Sequence, residues 1–221
     1  MTRKQEYTSK DTSINRVNAI YTQLTYKKGA RVLDYGGGKY DTNKEYLAKQ
    51  GIQLDVYDPY NRSEQHNTKV IHKYKAKAPD YIVCSNVLNV IKEKEIIVDI
   101  LNKIDSLCDN NTLVHIAVYE GDGSGIGKVS KDDCWQRNAK ASSYIPILKR
   151  VFAMVKKKGN MFICEPFGKG FCMICYNKYG DRERVIRLKT LDEAKSIWYA
   201  EKEKGNPAPT VYKDGERVSG Y

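Results

Sequence analysis

Asp34, the three glycines at 36, 37 and 38, and Asp58 are the residues whose types and spacing point most directly to chemistry. Arg31-Val32-Leu33-Asp34 is a short apolar run closing on an acid, and Gly36-Gly37-Gly38 follows after Tyr35. Such a run reads as a buried parallel strand, and the glycines as the tight turn after it. Glycine is required where a backbone bends sharply and a ligand lies against it, because a Cβ would fill that space. Ile52 to Asp58 repeats the apolar strand with a terminal acid. Some twenty residues beyond a glycine turn, a carboxylate suits the two hydroxyls of a ribose.

A dinucleotide fold would continue as Gly-x-Gly-x-x-Gly, so that a pyrophosphate rests on the helix N-terminus. Counted from Gly36, the last glycine of that pattern is Asp41, and Lys39, Tyr40 and Asp41 crowd the phosphate position. A nucleoside without phosphates fits better. The block Val32-Leu33-Asp34-Tyr35-Gly36-Gly37-Gly38, with Tyr57-Asp58-Pro59 downstream, resembles motifs I and II of the class I S-adenosylmethionine-dependent methyltransferases. The resemblance implies S-adenosylmethionine as the cofactor. It assigns Asp34, Gly36 and Gly38 to the methionine part and Asp58 to the ribose, with Tyr35, Gly37 and Pro59 completing the set.

Further along, Pro79 to Val90 looks like the family's fourth strand and its loop, and Ser85-Asn86-Val87 then falls beside the sulfonium. Leu113–Tyr119 fits strand five, and Asn160–Glu165 and Gly170–Tyr176 fit strands six and seven. The implied fold is α/β: a doubly wound, seven-stranded Rossmann-like sheet over residues 12–178. A flexible arm, 1–11, precedes it, and a small α+β appendage, 179–221, follows. Leu33-Asp34-Tyr35-Gly36 and Asn86-Val87-Leu88-Asn89-Val90 look closest to methyltransferases encoded beside bacterial DNA-modification systems and in phages.

Hydrophobic periodicity supplies the helices that would position these residues. One is expected from Thr12 or Ser13 to about Thr25, a second over Lys44–Lys49 closed by Gly51, a third over Glu93–Leu107 and a fourth over Ser142–Lys157. In the appendage, Arg184–Leu188 reads as a strand and Thr190 caps a helix from Leu191 to about Lys202. Asp214-Gly215 joins Thr210–Lys213 to Glu216–Ser219 as a two-residue hairpin.

The chain has 221 residues and 41% hydrophobic content, enough to bury one main core. No apolar leader and no run of about 18 apolar residues is present, so a soluble, cytoplasmic protein is expected. The six cysteines lie mostly in apolar runs, and Cys172-x-x-Cys175 has no second ligand pair, so buried reduced thiols and no metal are expected. A formal net charge of +11 fits binding to DNA or RNA through a basic surface, or a lysine-rich composition with no function. Lys69, Lys73, Lys75 and Lys77, and Lys149, Arg150, Lys156, Lys157 and Lys158, are its local clusters.

Methyl transfer from a sulfonium is an in-line displacement that demands alignment and exclusion of water. The fourth-strand loop, Ser85-Asn86-Val87-Leu88, lacks the Pro-Pro-aromatic motif of amino-methylating DNA enzymes and the Pro-Cys of cytosine-C5 enzymes. Glu120-Gly121-Asp122-Gly123-Ser124-Gly125-Ile126-Gly127-Lys128 is not a phosphate loop, because Asp122 and Val129 replace required residues. Emerging at the carboxyl edge of the sheet, it reads as a flexible lid, with Trp135 for stacking and Gln136 and Arg137 for hydrogen bonding to substrate. Trp135 as an anchor for the following helix is the competing reading. Glu120 is the candidate general base. A nucleic acid or nucleotide-like acceptor is expected; a small-molecule acceptor, or cofactor binding without catalysis, are the alternatives.

Overall fold

The computed structural model describes residues 4–218. Strands β1 (Arg31–Tyr35), β2 (Gln53–Tyr57), β3 (Tyr81–Ser85) and β4 (Leu113–Ala117) are parallel. After a small hairpin, β5 (Lys128–Lys131) and β6 (Cys134–Gln136), strands β7 (Phe152–Lys158) and β8 (Met161–Pro166) complete the main sheet. Its order is β2-β1-β3-β4-β8-β7, with β8 antiparallel to both neighbours.

Side chains alternate across a strand, so consecutive apolar residues feed two separate cores. Val32, Leu54, Val56 and Val83 pack with α1 (Ala19–Gln23) and α2 (Thr42–Ala48) on one face. Leu33, Ile82, Cys84 and Ile116 pack on the other with α3 (Glu64–Ala76), α4 (Lys94–Asp105) and α5 (Ile145–Val151). The sheet is therefore doubly wound, and its strands are apolar on both sides because helices cover both. Helix α3 carries few apolar residues, Val70 and Tyr74 being the buried ones, and Ser63 caps it by accepting from the His66 N–H at 3.2 Å. Lys69, Lys75 and Lys77 lie exposed on and just after it.

Three expectations are corrected. The sheet has six strands, not seven: the segment expected as its last strand is β9 (Phe171–Tyr176), which belongs to a second sheet. The helix expected over Ser142–Lys157 is a 3-10 turn, Ala141–Tyr144, followed by α5, and gives way to β7 at Phe152. Phe152, Ala153 and Met154 are all buried, so that run suits a covered strand as well as a helix, and the Gly159 turn folds it onto β8. The helix expected from Thr12 or Ser13 reduces to a 3-10 turn, Lys10–Thr12, and the short α1.

The second sheet, β10-β9-β11-β12, takes in β10 (Arg182–Leu188), β11 (Thr210–Lys213) and β12 (Glu216–Arg217), with α6 (Leu191–Glu203) between β10 and β11. Thr190 caps α6, accepting from the Glu193 N–H. Asp214 and Gly215 both have positive φ, as a type I′ hairpin turn requires. Arg182 Nη1 donates to the carbonyls of Phe152 and Ala153 at 2.7 and 3.0 Å, joining this sheet to β7. Ser219 and residues 1–3 lie outside the described residues. No helix among the described residues is long and apolar enough to cross a membrane.

Candidate functional site

The carboxyl ends of β1, β2 and β3 frame a cavity of about 350 Å³. That is within the size range of small-ligand sites. Its wall includes Tyr35, Gly36, Gly37 and Gly38 after β1, Asp58 and Pro59 after β2, and Ser85, Asn86 and Val87 after β3. Nine of the ten residues expected at the cofactor thus meet at one cavity. Asp34 is the tenth, and it lies beneath the turn rather than on the wall.

Gly36 and Gly38 hold φ of 83° and 75°, the left-handed region that side chains disfavour. A Cβ on Gly36 would collide with Val87 Cγ2, and one on Gly38 would sit 2.5 Å from Ser13 Oγ. At Gly37 the obstruction is below: a Cβ would stand 2.7 Å from the Asp34 carboxyl carbon and 2.9 Å from Val56 Cγ1. Asp34 is buried, takes a hydrogen bond from Asn43 Nδ2 at 3.4 Å, and its carboxyl is pushed up to about 6 by burial. It props the turn through packing.

Asp58 ties the first two loops together. Its Oδ2 accepts the Gly38 N–H at 2.9 Å, and Oδ1 accepts the N–H groups of Tyr60 and Asn61 at 2.9 and 2.8 Å and Asn61 Nδ2 at 3.2 Å. Asn67 fixes its backbone: Asn67 Oδ1 accepts from Asp58 N at 3.0 Å and Nδ2 donates to the Asp58 carbonyl at 2.8 Å. Arg62 clamps the glycine turn, with Nε donating to the Gly38 carbonyl at 2.9 Å and Nη2 to Asp41 Oδ1 at 2.7 Å. With one donor on Oδ2, the carboxylate retains accepting capacity toward the cavity. A diol with two O–H donors fits that oxygen, and the flat glycine surface fits an adjoining chain. The residues present therefore suit a nucleoside such as S-adenosylmethionine.

Part of the segment expected as a loose arm, together with the first residues of the helix expected from Thr12 or Ser13, forms the roof. Gln5, Thr8, Ser9, Ser13, Ile14 and Arg16 all line the cavity. Ser9 is buried, its N–H donates to the Asp133 carbonyl at 2.8 Å, and its hydroxyl accepts the Trp135 N–H at 3.2 Å. Thr8 donates to the Asp133 carboxylate through both N–H and Oγ1. Tyr7 stacks on Trp135 with centroids 5.8 Å apart, and Lys92 Nζ lies 5.5 and 5.4 Å from the two ring centroids while pairing with Glu6 at 2.6 Å. Short polar side chains spaced through 5–16 are the only sequence signal for this strap, and such spacing is common in unstructured termini.

Glu120, Trp135, Gln136 and Arg137 do not line this cavity. Glu120 Oε1 accepts the Ala141 N–H at 2.6 Å, which secures the 3-10 turn before α5. The expected lid is in part an ordered hairpin, β5 to β6. Gln136 accepts from Asn89 Nδ2 at 3.1 Å and donates to the Tyr119 carbonyl, while Arg137 Nη2 donates to the carbonyls of Ile91 and Lys92 at 2.5 and 2.9 Å. Both brace the segment after β3, whose Asn86 has a φ of 59° on the cavity wall. Gly127 leaves room for the Trp135 ring, since a Cβ there would overlap it.

A family model described as a methyltransferase domain matches residues 12–206. The chain belongs to that methyltransferase family. No curated protein matches it. Among solved structures it is similar to the 1,6-didemethyltoxoflavin-N1-methyltransferase of Burkholderia thailandensis, at 15% identity over 62% of this chain and 70% of that one, with a TM-score of 0.46. It is also similar to a TehB-like methyltransferase of Corynebacterium glutamicum, at 14% identity over 72% and 86% of the two chains and a TM-score of 0.41. Phosphoethanolamine N-methyltransferase 2 of Haemonchus contortus gives 16% identity over 84% of this chain but 41% of that one, with a TM-score of 0.41. The family assignment rests on the model match.

Proposed function

We propose that the chain transfers the methyl group of S-adenosylmethionine to a nucleotide-like acceptor or to nucleic acid. The observation that carries the donor part is Asp58, a buried carboxylate on the cavity wall beside the glycine turn, whose Oδ2 accepts the Gly38 N–H and keeps capacity for a ribose diol. In this reading Gly36 and Gly38 receive the methionine part, and Ser85-Asn86-Val87 flanks the sulfonium. The strap from Gln5 to Arg16 excludes water from the methyl carbon, and alignment by these walls supplies most of the rate.

For the acceptor, the formal net charge of +11 favours a phosphate-bearing partner. Tyr60 and Tyr119, which follow β2 and β4, are exposed large aromatics at the carboxyl edge of the sheet, the place where unstacked bases find a stacking surface. The likeness of Leu33–Gly36 and Asn86–Val90 to methyltransferases encoded beside DNA-modification systems points the same way. The roofed cavity favours a small acceptor as a second reading, because a strap seated over the donor narrows access.

Calorimetry with S-adenosylmethionine and S-adenosylhomocysteine tests donor use. Transfer of a tritiated methyl group to DNA, RNA, mononucleotides and a metabolite extract then separates the acceptors. Binding without transfer to any of them would leave a cofactor-binding protein and end the catalytic reading.

A further inference from the structure

A second hollow, of about 770 Å³, lies between the first turns of α4 and α5. Ile97 and Val98 of α4, Ala139, and Pro146 and Ile147 of α5 give it an apolar strip. Lys94, Arg137 and Arg150 give it three cationic side chains against the single carboxylate of Glu95. On its wall Tyr144 is only 3% exposed, yet its hydroxyl has no hydrogen-bond partner, and the Arg137 Nε is likewise buried and unpartnered. Buried donors are almost always satisfied, so two unused ones in residues lining the same hollow call for an acceptor atom that the chain itself does not supply. Burial pushes the Tyr144 hydroxyl up to about 12, with Arg137 opposing, so at neutral pH it stays protonated and can donate.

The position links this hollow to the site already described. Ile91 and Ile96 line the donor cavity, whereas Lys94 and Ile97, interleaved with them, line the hollow. Arg137 fastens the same stretch through the Ile91 and Lys92 carbonyls. A molecule bound here therefore lies across one turn of chain from the donor.

We infer that the hollow between α4 and α5 seats a phosphate group of the acceptor, held by Tyr144, Arg137, Arg150 and Lys94. The inference rests on the nucleotide-like acceptor proposed above. Three cationic side chains and a phenol suit the double negative charge and three free oxygens of a phosphate monoester better than the single charge of a carboxylate. Guanidinium groups match phosphate geometry in pairs, and a neutral phenol adds a donor without adding charge. The apolar strip takes the body of the ligand.

The probe is inorganic phosphate titrated up to about 10 mM, a range that detects millimolar affinity, followed by calorimetry and by backbone chemical shifts. Tyr144→Phe should weaken phosphate binding about ten-fold while thermal stability stays level or rises, since removing an unpartnered buried hydroxyl relieves the fold when no ligand needs it. Arg150→Gln, an exposed change, should weaken it to a similar degree. Neither variant should alter S-adenosylmethionine affinity. Competition by a 5′-mononucleotide would identify a small acceptor, and competition by an oligonucleotide alone a polynucleotide. Absence of competition by either, no phosphate binding by the parent, or equal binding by both variants would overturn the seat. Phosphate binding with no S-adenosylmethionine binding would keep the seat and reject the methyltransferase reading.

Discussion

Ser9 and Asp133 meet backbone to backbone, the Ser9 N–H donating to the Asp133 carbonyl at 2.8 Å, and both residues are left-handed, with φ of 52° and 53°. The roof of the donor cavity is thus fastened to the hairpin that follows β4, two segments more than a hundred positions apart in the chain. Opening the roof requires releasing this contact and the Tyr7–Trp135 stack together.

Asp133→Asn keeps a side chain tolerant of the left-handed backbone but loses the charge-assisted bonds to Thr8. A loss of about 1–2 kcal/mol is expected, raising the open population of the strap roughly ten-fold. Hydrogen exchange of the Ser9 amide reads that population directly, and release of S-adenosylhomocysteine should quicken in step. An unchanged Ser9 exchange rate would show that the strap is held elsewhere.

Gly37→Ala drives a methyl group toward the Asp34 carboxyl and Val56 Cγ1, both on buried residues. Overpacking of this kind costs about 1–3 kcal/mol. Thermal unfolding should show the loss, and donor affinity should fall with it as the turn shifts.

At Asp58 the isosteric change to Asn turns one accepting atom into a donor that faces N–H groups already in place. S-adenosylmethionine affinity should drop by at least ten-fold, equivalent to about 1.4 kcal/mol. Affinity equal to the parent's would remove Asp58 from the ribose role.

His115 is buried in β4 beside Tyr26 and Tyr81, and burial pulls its pKa from 6.5 to about 4. Folded, it binds fewer protons than when unfolded between those values, so its contribution is present above pH 6.5 and is lost as the pH falls toward 4. The shift corresponds to about 3 kcal/mol. Subtracting the stability profile of His115→Phe from that of the parent should isolate this slope; a flat difference over that window would falsify the assignment.

How much of this could be read from residue order depends on how local each signal is. Arg31-Val32-Leu33-Asp34 with three glycines, and Asp58 at the next strand tip, are local patterns, and they do converge on one cavity. The same holds for Thr190 before α6 and Asp214-Gly215 in the last hairpin, where cap and turn chemistry are set by adjacent residues. Phe152–Val155 suits a helix and a strand equally, because an apolar run carries no period once both sides are covered. The roof has no local signal because Ser13, Thr8 and Ser9 find their partners further along the chain, at Lys39, Asp133 and Trp135. Helix α3 escaped notice because its buried face is mostly Asn67, Val70 and Tyr74 amid charged residues.

The location of β9 carries a practical consequence. It is an inner strand of the second sheet, bonded to β10 on one side and β11 on the other. Trimming the protein near residue 178 would strip both flanks at once and expose an apolar ribbon, Phe171-Cys172-Met173-Ile174-Cys175, to its own kind. Shortened versions should be insoluble through edge-to-edge self-association rather than merely less active.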